Sequence, residues 1–220
     1  METTDPEAGV RADGDLTDRV IVVTGASSGI GAHLVGSLAD RGARVVATAR
    51  REEMLREVTG GLDSDRLLVV AGDLTEDGFP RHLMEAAHGR FERIDALLNN
   101  AGSTHTIRAE EETTEDFLRI ININLVALFA CAREAFPYLA DVGNGSIVNV
   151  SSALGLVGIG RIPQASYCAA KGGVISLTRE LAAQWGGRGI RVNCLAPGWF
   201  PSEMTEGMFE PRSMEYIERT

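Results

Sequence analysis

The chain has 220 residues, with 21 lysines and arginines against 31 aspartates and glutamates, a formal net charge of −10 at pH 7. That balance argues against nucleic acid or an anionic membrane surface as the main partner. A content of 44% hydrophobic and 24% charged residues excludes a disordered or fibrous chain.

Residues 1–15 carry five carboxylates and no apolar segment, and are expected to form a disordered acidic tail rather than a signal peptide. No apolar run approaches the ~20 residues that span a bilayer. Cys131, Cys168 and Cys194 are widely spaced and form no CxxC or Cys/His pattern, so no metal site or disulfide framework is expected, and a reducing cytoplasm is the expected location.

From residue 16 onward, strand-length apolar runs alternate with helix-length stretches. Strands are expected at 20–24, 44–49, 67–71, 94–99, 146–151 and 190–195, rich in Val, Ile and Leu and suited to burial on both faces. Helices are expected at 29–41, 52–58, 76–90, 114–139 and 164–185, the fourth interrupted by Asn122 and Asn124. This alternation predicts right-handed βαβ units in one α/β domain over residues 16–220, a doubly wound, Rossmann-type parallel sheet.

The first strand runs into Thr24-Gly25-Ala26-Ser27-Ser28-Gly29-Ile30-Gly31 and then a helix. Glycines at such a turn let the backbone approach a pyrophosphate, and the helix N-terminus offers free N–H groups to it. The spacing is GxxxGxG, and no GK[ST] marks a triphosphate loop. The second strand ends at Ala49, followed by Arg50 and Arg51, with no carboxylate before Glu52. A carboxylate there would bind a ribose 2′-OH, whereas arginine favours a 2′-phosphate. NADP(H) is therefore expected, with NAD(H) the alternative.

Tyr167 and Lys171 stand at i and i+4, on one face of a helix. A tyrosine with a pKa of about 10 needs nearby positive charge to exchange its proton at neutral pH. The strand at 146–151 ends in two hydroxyls, Ser151 and Ser152, at the sheet end where such folds bind ligands. A serine there could hold a substrate carbonyl while Tyr167 moves the proton.

Together these residues resemble the short-chain dehydrogenase/reductase family, over about residues 16–205. The resemblance rests on five motifs in order: the turn at 24–31, Asp73, Asn99-Asn100-Ala101-Gly102, the Tyr167/Lys171 pair, and Pro197-Gly198. It implies that Tyr167 is the general acid/base, that Lys171 lowers its pKa and bonds the nicotinamide ribose, that Ser152 orients the substrate oxygen, and that Asn124 holds a relay water. Ser151 is the alternative serine. It further implies a cofactor surface formed by Gly25, Ser27, Ser28, Gly29, Ile30 and Gly31 at the phosphates. Arg50, Asp73 and Leu74 belong to its adenosine side, Asn100, Ala101 and Gly102 to its middle. Pro197, Gly198, Phe200 and Ser202 accompany Tyr167 and Lys171 at the nicotinamide, within a substrate-side segment at 196–220.

The resemblance implies hydride transfer between NADP(H) and a small carbonyl or secondary alcohol, in a homodimer or homotetramer built on the long helices. A 3-oxoacyl thioester is one candidate substrate, but the segment 131–143 offers only Arg133 as a basic contact for an acidic carrier. Leu154, Leu156, Ile159, Trp199 and Phe200 suggest an apolar pocket. Cys168 is expected to face away from Tyr167. A non-catalytic sensor and a methyltransferase are the competing readings; the first is disfavoured by the intact Ser, Tyr and Lys, the second by YxxxK. Two departures stand out: the interval from Ser152 to Tyr167 is about two residues longer than the family's, and the chain is expected to lack the usual last edge strand and to be a shortened form.

Overall fold

The computed structural model describes residues 14–200. Six strands form one all-parallel sheet: β1 Val20–Thr24, β2 Arg44–Ala49, β3 Leu67–Ala71, β4 Ala96–Asn99, β5 Gly145–Val150 and β6 Ile190–Leu195. Their order is β3-β2-β1-β4-β5-β6. Helices α1 Gly29–Asp40, α2 Glu52–Thr59, α3 Phe79–Phe91, α4 Thr114–Ile121, α5 Ala127–Asp141 and α6 Ala165–Trp185 connect them. This is the doubly wound α/β sheet that the alternation predicts. The outer neighbour of β5 is β6, with which the sheet ends among the described residues.

Alternation along each strand sends side chains into two layers. Val20, Val22, Val46 and Leu97 pack with Leu83 and Met84 of α3, Cys131 and Ala135 of α5, and Leu181 of α6. Ile21, Val23, Val45 and Ala47 pack with Val35 of α1 and Leu55 of α2. Right-handed crossovers account for this division: the chain winds one way from β1 to β3 and the other way from β3 to β6. The reversal leaves a crevice between the C-terminal ends of β1 and β4, where ligands bind in open sheets of this kind.

Among the boundaries that differ from expectation, two have a local cause. Helix α3 starts at Phe79 rather than residue 76, because Gly78 adopts a left-handed conformation (φ 80°) and a proline occupies the first turn. Strand β4 starts at Ala96 rather than residue 94. Asp95 Oδ2 accepts from Val20 N at 2.9 Å, and Asp95 N donates to Val20 O at 2.8 Å, so the side chain enters the bonding at the strand's base.

Between α4 and α5, residues Asn122–Val126 form a π-helical turn. The interruption expected from Asn122 and Asn124 is thus a local widening of one continuous helix. Such turns frequently mark functional positions. No helix among the described residues is long and apolar enough to cross a membrane, and no group of His, Cys, Asp or Glu among them is arranged to hold a metal ion.

Candidate active site

Thr24 closes β1, and its Oγ1 accepts hydrogen bonds from Asn100 N (3.0 Å) and Ala101 N (3.1 Å), the two residues that follow β4. Asn100 Nδ2 returns to Thr24 O at 3.1 Å and Gly25 O at 3.2 Å. The glycine turn and the segment after β4 are thereby sewn together across the crevice. Gly31 must lack a side chain: a Cβ there would stand 2.2 Å from Gly25 O and 2.6 Å from Asn100 Nδ2. Helix α1 then begins at Gly29 with no side-chain cap from Ser28 and no acidic residue in its first turn. Its N–H groups and positive dipole end are left for an anion.

A cavity of about 710 Å³ opens from this turn. One end is walled by Ser28, Arg50, Arg51, Asp73 and Leu74, the middle by Asn100, Ala101 and Gly102, and the other end by Ser152, Tyr167, Lys171, Pro197, Gly198 and Phe200. Gly25, Ser27, Gly29 and Ile30 complete the turn's side of the wall. Gly31 and Asn124 are not wall residues but stand behind them, the first under Gly25 and the second behind Gly102. Ser202 lies outside the described residues, as do residues 1–13 and the rest of the segment beyond Phe200.

Asn124 is fully buried in the π-helical turn. Its amide nitrogen donates to Ile120 O at 2.9 Å and to Ser103 O at 2.7 Å. The side chain therefore supplies a bond to a helix carbonyl while holding the strand-end segment in place. Gly102 is what admits it: a Cβ at that position would meet Asn124 Oδ1 at 2.6 Å and Lys171 Nζ at 3.4 Å.

The helix α6 brings Tyr167 and Lys171 to the same wall, both buried. Lys171 Nζ donates to Val150 O at 2.8 Å, at the last residue of β5, and lies 5.6 Å from the centre of the Tyr167 ring. Burial pulls the ammonium down from 10.5 to about 8. Burial pushes the Tyr167 phenol above its usual value, and the Ser152 hydroxyl opposes that rise. The group acting against burial at the phenol is thus Ser152; Lys171 is turned toward the β5 carbonyl. The two serines separate cleanly. Both line the cavity, but the Ser151 hydroxyl is buried and donates to Lys171 O at 2.8 Å, whereas Ser152 is less buried and its Oγ accepts from Leu154 N at 3.2 Å.

At the end walled by Arg50 and Leu74, Asp73 Oδ1 accepts from Thr75 N and Thr75 Oγ1, at 2.9 and 2.7 Å. Arg50 Nη1 lies 4.0 Å from Asp73 Oδ2 with a largely exposed side chain, and Arg51 Nη2 donates to Ser28 Oγ at 3.3 Å. Both arginines line the cavity. Leu154, Trp199 and Phe200 supply apolar lining; Leu156 instead points to solvent, and Ile159 packs behind the wall on Tyr167, Leu154 and Ile120. Cys168 packs against that same cluster and, unlike Tyr167, does not line the cavity. Ser103, Thr104, Arg119 and Gln164 also line the cavity. No motif marks them in the sequence, because loop-to-helix contacts bring them there.

The family model for short chain dehydrogenases matches residues 19–213. The chain belongs to that family. It is 40% identical over 216 residues to an A-factor type gamma-butyrolactone 1′-reductase of Streptomyces virginiae, covering 94% of this chain and 82% of that one. It is 32% identical over 205 residues to a 3-oxoacyl-[acyl-carrier-protein] reductase of Rickettsia prowazekii, covering 93% and 82%. A crystal structure of a short-chain type dehydrogenase/reductase from Mycobacterium marinum superposes with a TM-score of 0.83 at 29% identity, covering 89% and 78%. This short-chain dehydrogenase is therefore an oxidoreductase, of a family that binds a nicotinamide dinucleotide.

Proposed function

We propose that this enzyme reduces the carbonyl of a small, largely apolar substrate, or oxidises the corresponding secondary alcohol, with NADP(H) as its cofactor. The observation that carries the reading is that Ser152, Tyr167 and Lys171 share one cavity with the uncapped N-terminus of α1. The dinucleotide, when bound, supplies or accepts the hydride. Everything else falls to the chain.

Ser152 Oγ holds the substrate oxygen, and the Tyr167 hydroxyl gives it a proton during reduction and takes one back during oxidation. Lys171, whose pKa of about 8 leaves it mostly protonated at neutral pH, keeps a positive charge beside the phenol. That charge favours the phenolate left after proton transfer. Asn124 fixes the Ser103 end of the cavity and so the reach of the pocket.

NADP(H) is favoured because Arg50 and Arg51 both stand on the wall beside Ser28, with no carboxylate at the end of β2. A 3-oxoacyl thioester remains the second reading, since a relative acts on one. Against a carrier-protein substrate, Arg133 is engaged by Glu134 at 2.8 Å, and the chain is acidic overall. Leu118, Val126 and Phe129 stand exposed along α4, the π-helical turn and α5. These side chains suit the homo-oligomeric contact proposed for the long helices.

The test is a screen of NADPH and NADH consumption on cyclic ketones, lactone ketones and 3-oxoacyl thioesters, run beside Tyr167→Phe. The variant is expected to lose about 100-fold or more in kcat and to keep NADP⁺ binding. Parental turnover by Tyr167→Phe on every accepted substrate would sink the mechanism.

A further inference from the structure

Tyr167 sits in the first turn of α6, and that turn begins without a local cap: Gln164, the preceding residue, makes no capping side-chain hydrogen bond. What holds the turn comes from the loop between β4 and α4. Ile107 N donates to Pro163 O at 3.0 Å, and Ile107 pairs with Gln164 as an isolated bridge. Thr104 Oγ1 donates to Gln164 Oε1 at 2.9 Å. Ser166 Oγ, one residue before Tyr167, makes a short hydrogen bond to Glu112 Oε1.

The last of these contacts is unusual in its burial. The Glu112 side chain is only 3% exposed, and Ser166 is fully buried. A carboxylate taken out of water is retained only where donors or a cation meet it. Ser166 supplies one donor. His105 Nδ1 lies 3.9 Å from the same oxygen, outside hydrogen-bond reach, and is itself buried without a hydrogen-bond partner among the described residues. Ordinary loop packing would put an apolar side chain in such a place, at no desolvation cost.

The same loop carries Ser103 and Thr104 onto the cavity wall, and Ser103 O receives Asn124. One carboxylate therefore couples the substrate-side loop to the helical turn that bears the phenol. We propose that Glu112 is a positioning residue for Tyr167: its buried carboxylate, bonded by Ser166 and facing His105, fastens the β4–α4 loop to α6 and fixes the phenol beside Ser152. The inference rests on the catalytic reading of Tyr167 given above.

The test uses fluorine NMR of protein labelled with 3-fluorotyrosine, with the Tyr167 signal assigned by its loss in Tyr167→Phe. Alongside it, kcat and KM are measured for the N-acetylcysteamine thioester of 3-oxobutanoate with NADPH. Glu112→Ala and Ser166→Ala are expected to shift or split the Tyr167 signal while leaving Tyr138 in place. They should lower kcat by about tenfold to a hundredfold with KM within about threefold, the signature of a misplaced reacting group. Glu112→Gln keeps an oxygen that accepts from Ser166, so it should stay within about threefold of the parent. Ser166→Ala keeps the test open if Glu112→Ala does not fold. An unmoved Tyr167 signal in the folded variants overturns the inference, as does Glu112→Gln impaired as badly as Glu112→Ala. The NMR readout needs no substrate, so it decides this point even if Tyr167→Phe retains turnover and the catalytic reading fails.

Discussion

Replacing Lys171 with methionine removes an ammonium that the fold keeps only 3% exposed. Burial lowers its pKa from 10.5 to about 8, so below pH 8 the folded protein carries a charge that it disfavours by about 3 kcal/mol relative to the unfolded chain. The group is a base whose folded pKa is depressed. Between about 8 and 10.5 the unfolded chain therefore binds more protons, and stability rises with pH through that window. Below it, lysine is protonated in both states and contributes no slope. The unfolding free energy of the parent minus that of Lys171→Met should be flat from about pH 6 to about pH 7.5 and then climb by about 2 kcal/mol by about pH 9.5. Cys131, whose thiol burial pushes up to about 12, acts in the opposite sense above its unfolded value. It is present in both proteins and cancels in the difference. Loss of the Lys171 bond to Val150 O adds an offset that does not vary with pH. The assay is urea unfolding without cofactor, followed by circular dichroism at a series of pH values. A parent-minus-variant difference that stays flat through pH 9.5 would refute the reasoning.

Arg50→Glu places a carboxylate where β2 ends, and should lower the ratio of kcat/KM for NADPH over NADH by about tenfold or more; an unchanged ratio would remove Arg50 from cofactor choice. Asp95→Asn should cost about 3 kcal/mol in chemical unfolding at neutral pH, since Arg19, Arg93 and Val20 N all meet that 5%-exposed carboxylate at the base of the sheet. Burial pushes the Asp95 pKa up, but the hydrogen bonds from Arg93, Val20 and Arg19 outweigh it and hold the carboxyl below its usual 3.8. The stabilisation is therefore present above pH 4 or so and is lost as pH falls through the lower folded value. A parent-minus-variant gap that stays unchanged in acid would contradict that.

The strands were legible because a parallel sheet covered on both faces writes itself as unbroken apolar runs, and Val20–Thr24 is such a run; Ile190–Leu195, last in the sheet among the described residues, instead places exposed Arg191 and Asn193 between buried Ile190 and Val192. The glycine turn was legible for a related reason, since only glycine fits at Gly31 beneath Gly25 O. Boundaries failed where a side chain enters backbone bonding, as Asp95 does for β4, and where a left-handed backbone position delays a helix, as Gly78 does for α3. At the site, Tyr167 and Lys171 carry a spacing that one helix explains. Arg51 on Ser28, Gln164 with Thr104, and Glu112 with Ser166 join residues 23, 60 and 54 positions apart. No periodicity encodes a meeting between a loop and a helix start. Cys168, one residue on from Tyr167, packs against the cluster of Ile120 and Leu154 instead of lining the cavity.

The distance between the two halves of the cavity is set by side-chain amides and hydroxyls as well as by the strand ladders. Thr24 and Asn100 join β1 to the end of β4 across the switch in strand order. One residue earlier, Asn99 Nδ2 donates to Asn149 Oδ1 of β5 at 3.0 Å, and Asn149 Nδ2 donates to Thr178 Oγ1 of α6 at 3.0 Å. Thr178 Oγ1 in turn donates to Val174 O, on the turn after Lys171. The path from the glycine turn to α6 thus passes through buried polar groups, each of which costs free energy unless paired. Apolar side chains would fill the same space at lower cost, but they would fix the spacing only by volume. Hydrogen bonds fix it by direction and length, and a site that must hold Tyr167 at a set reach from the glycine turn depends on both.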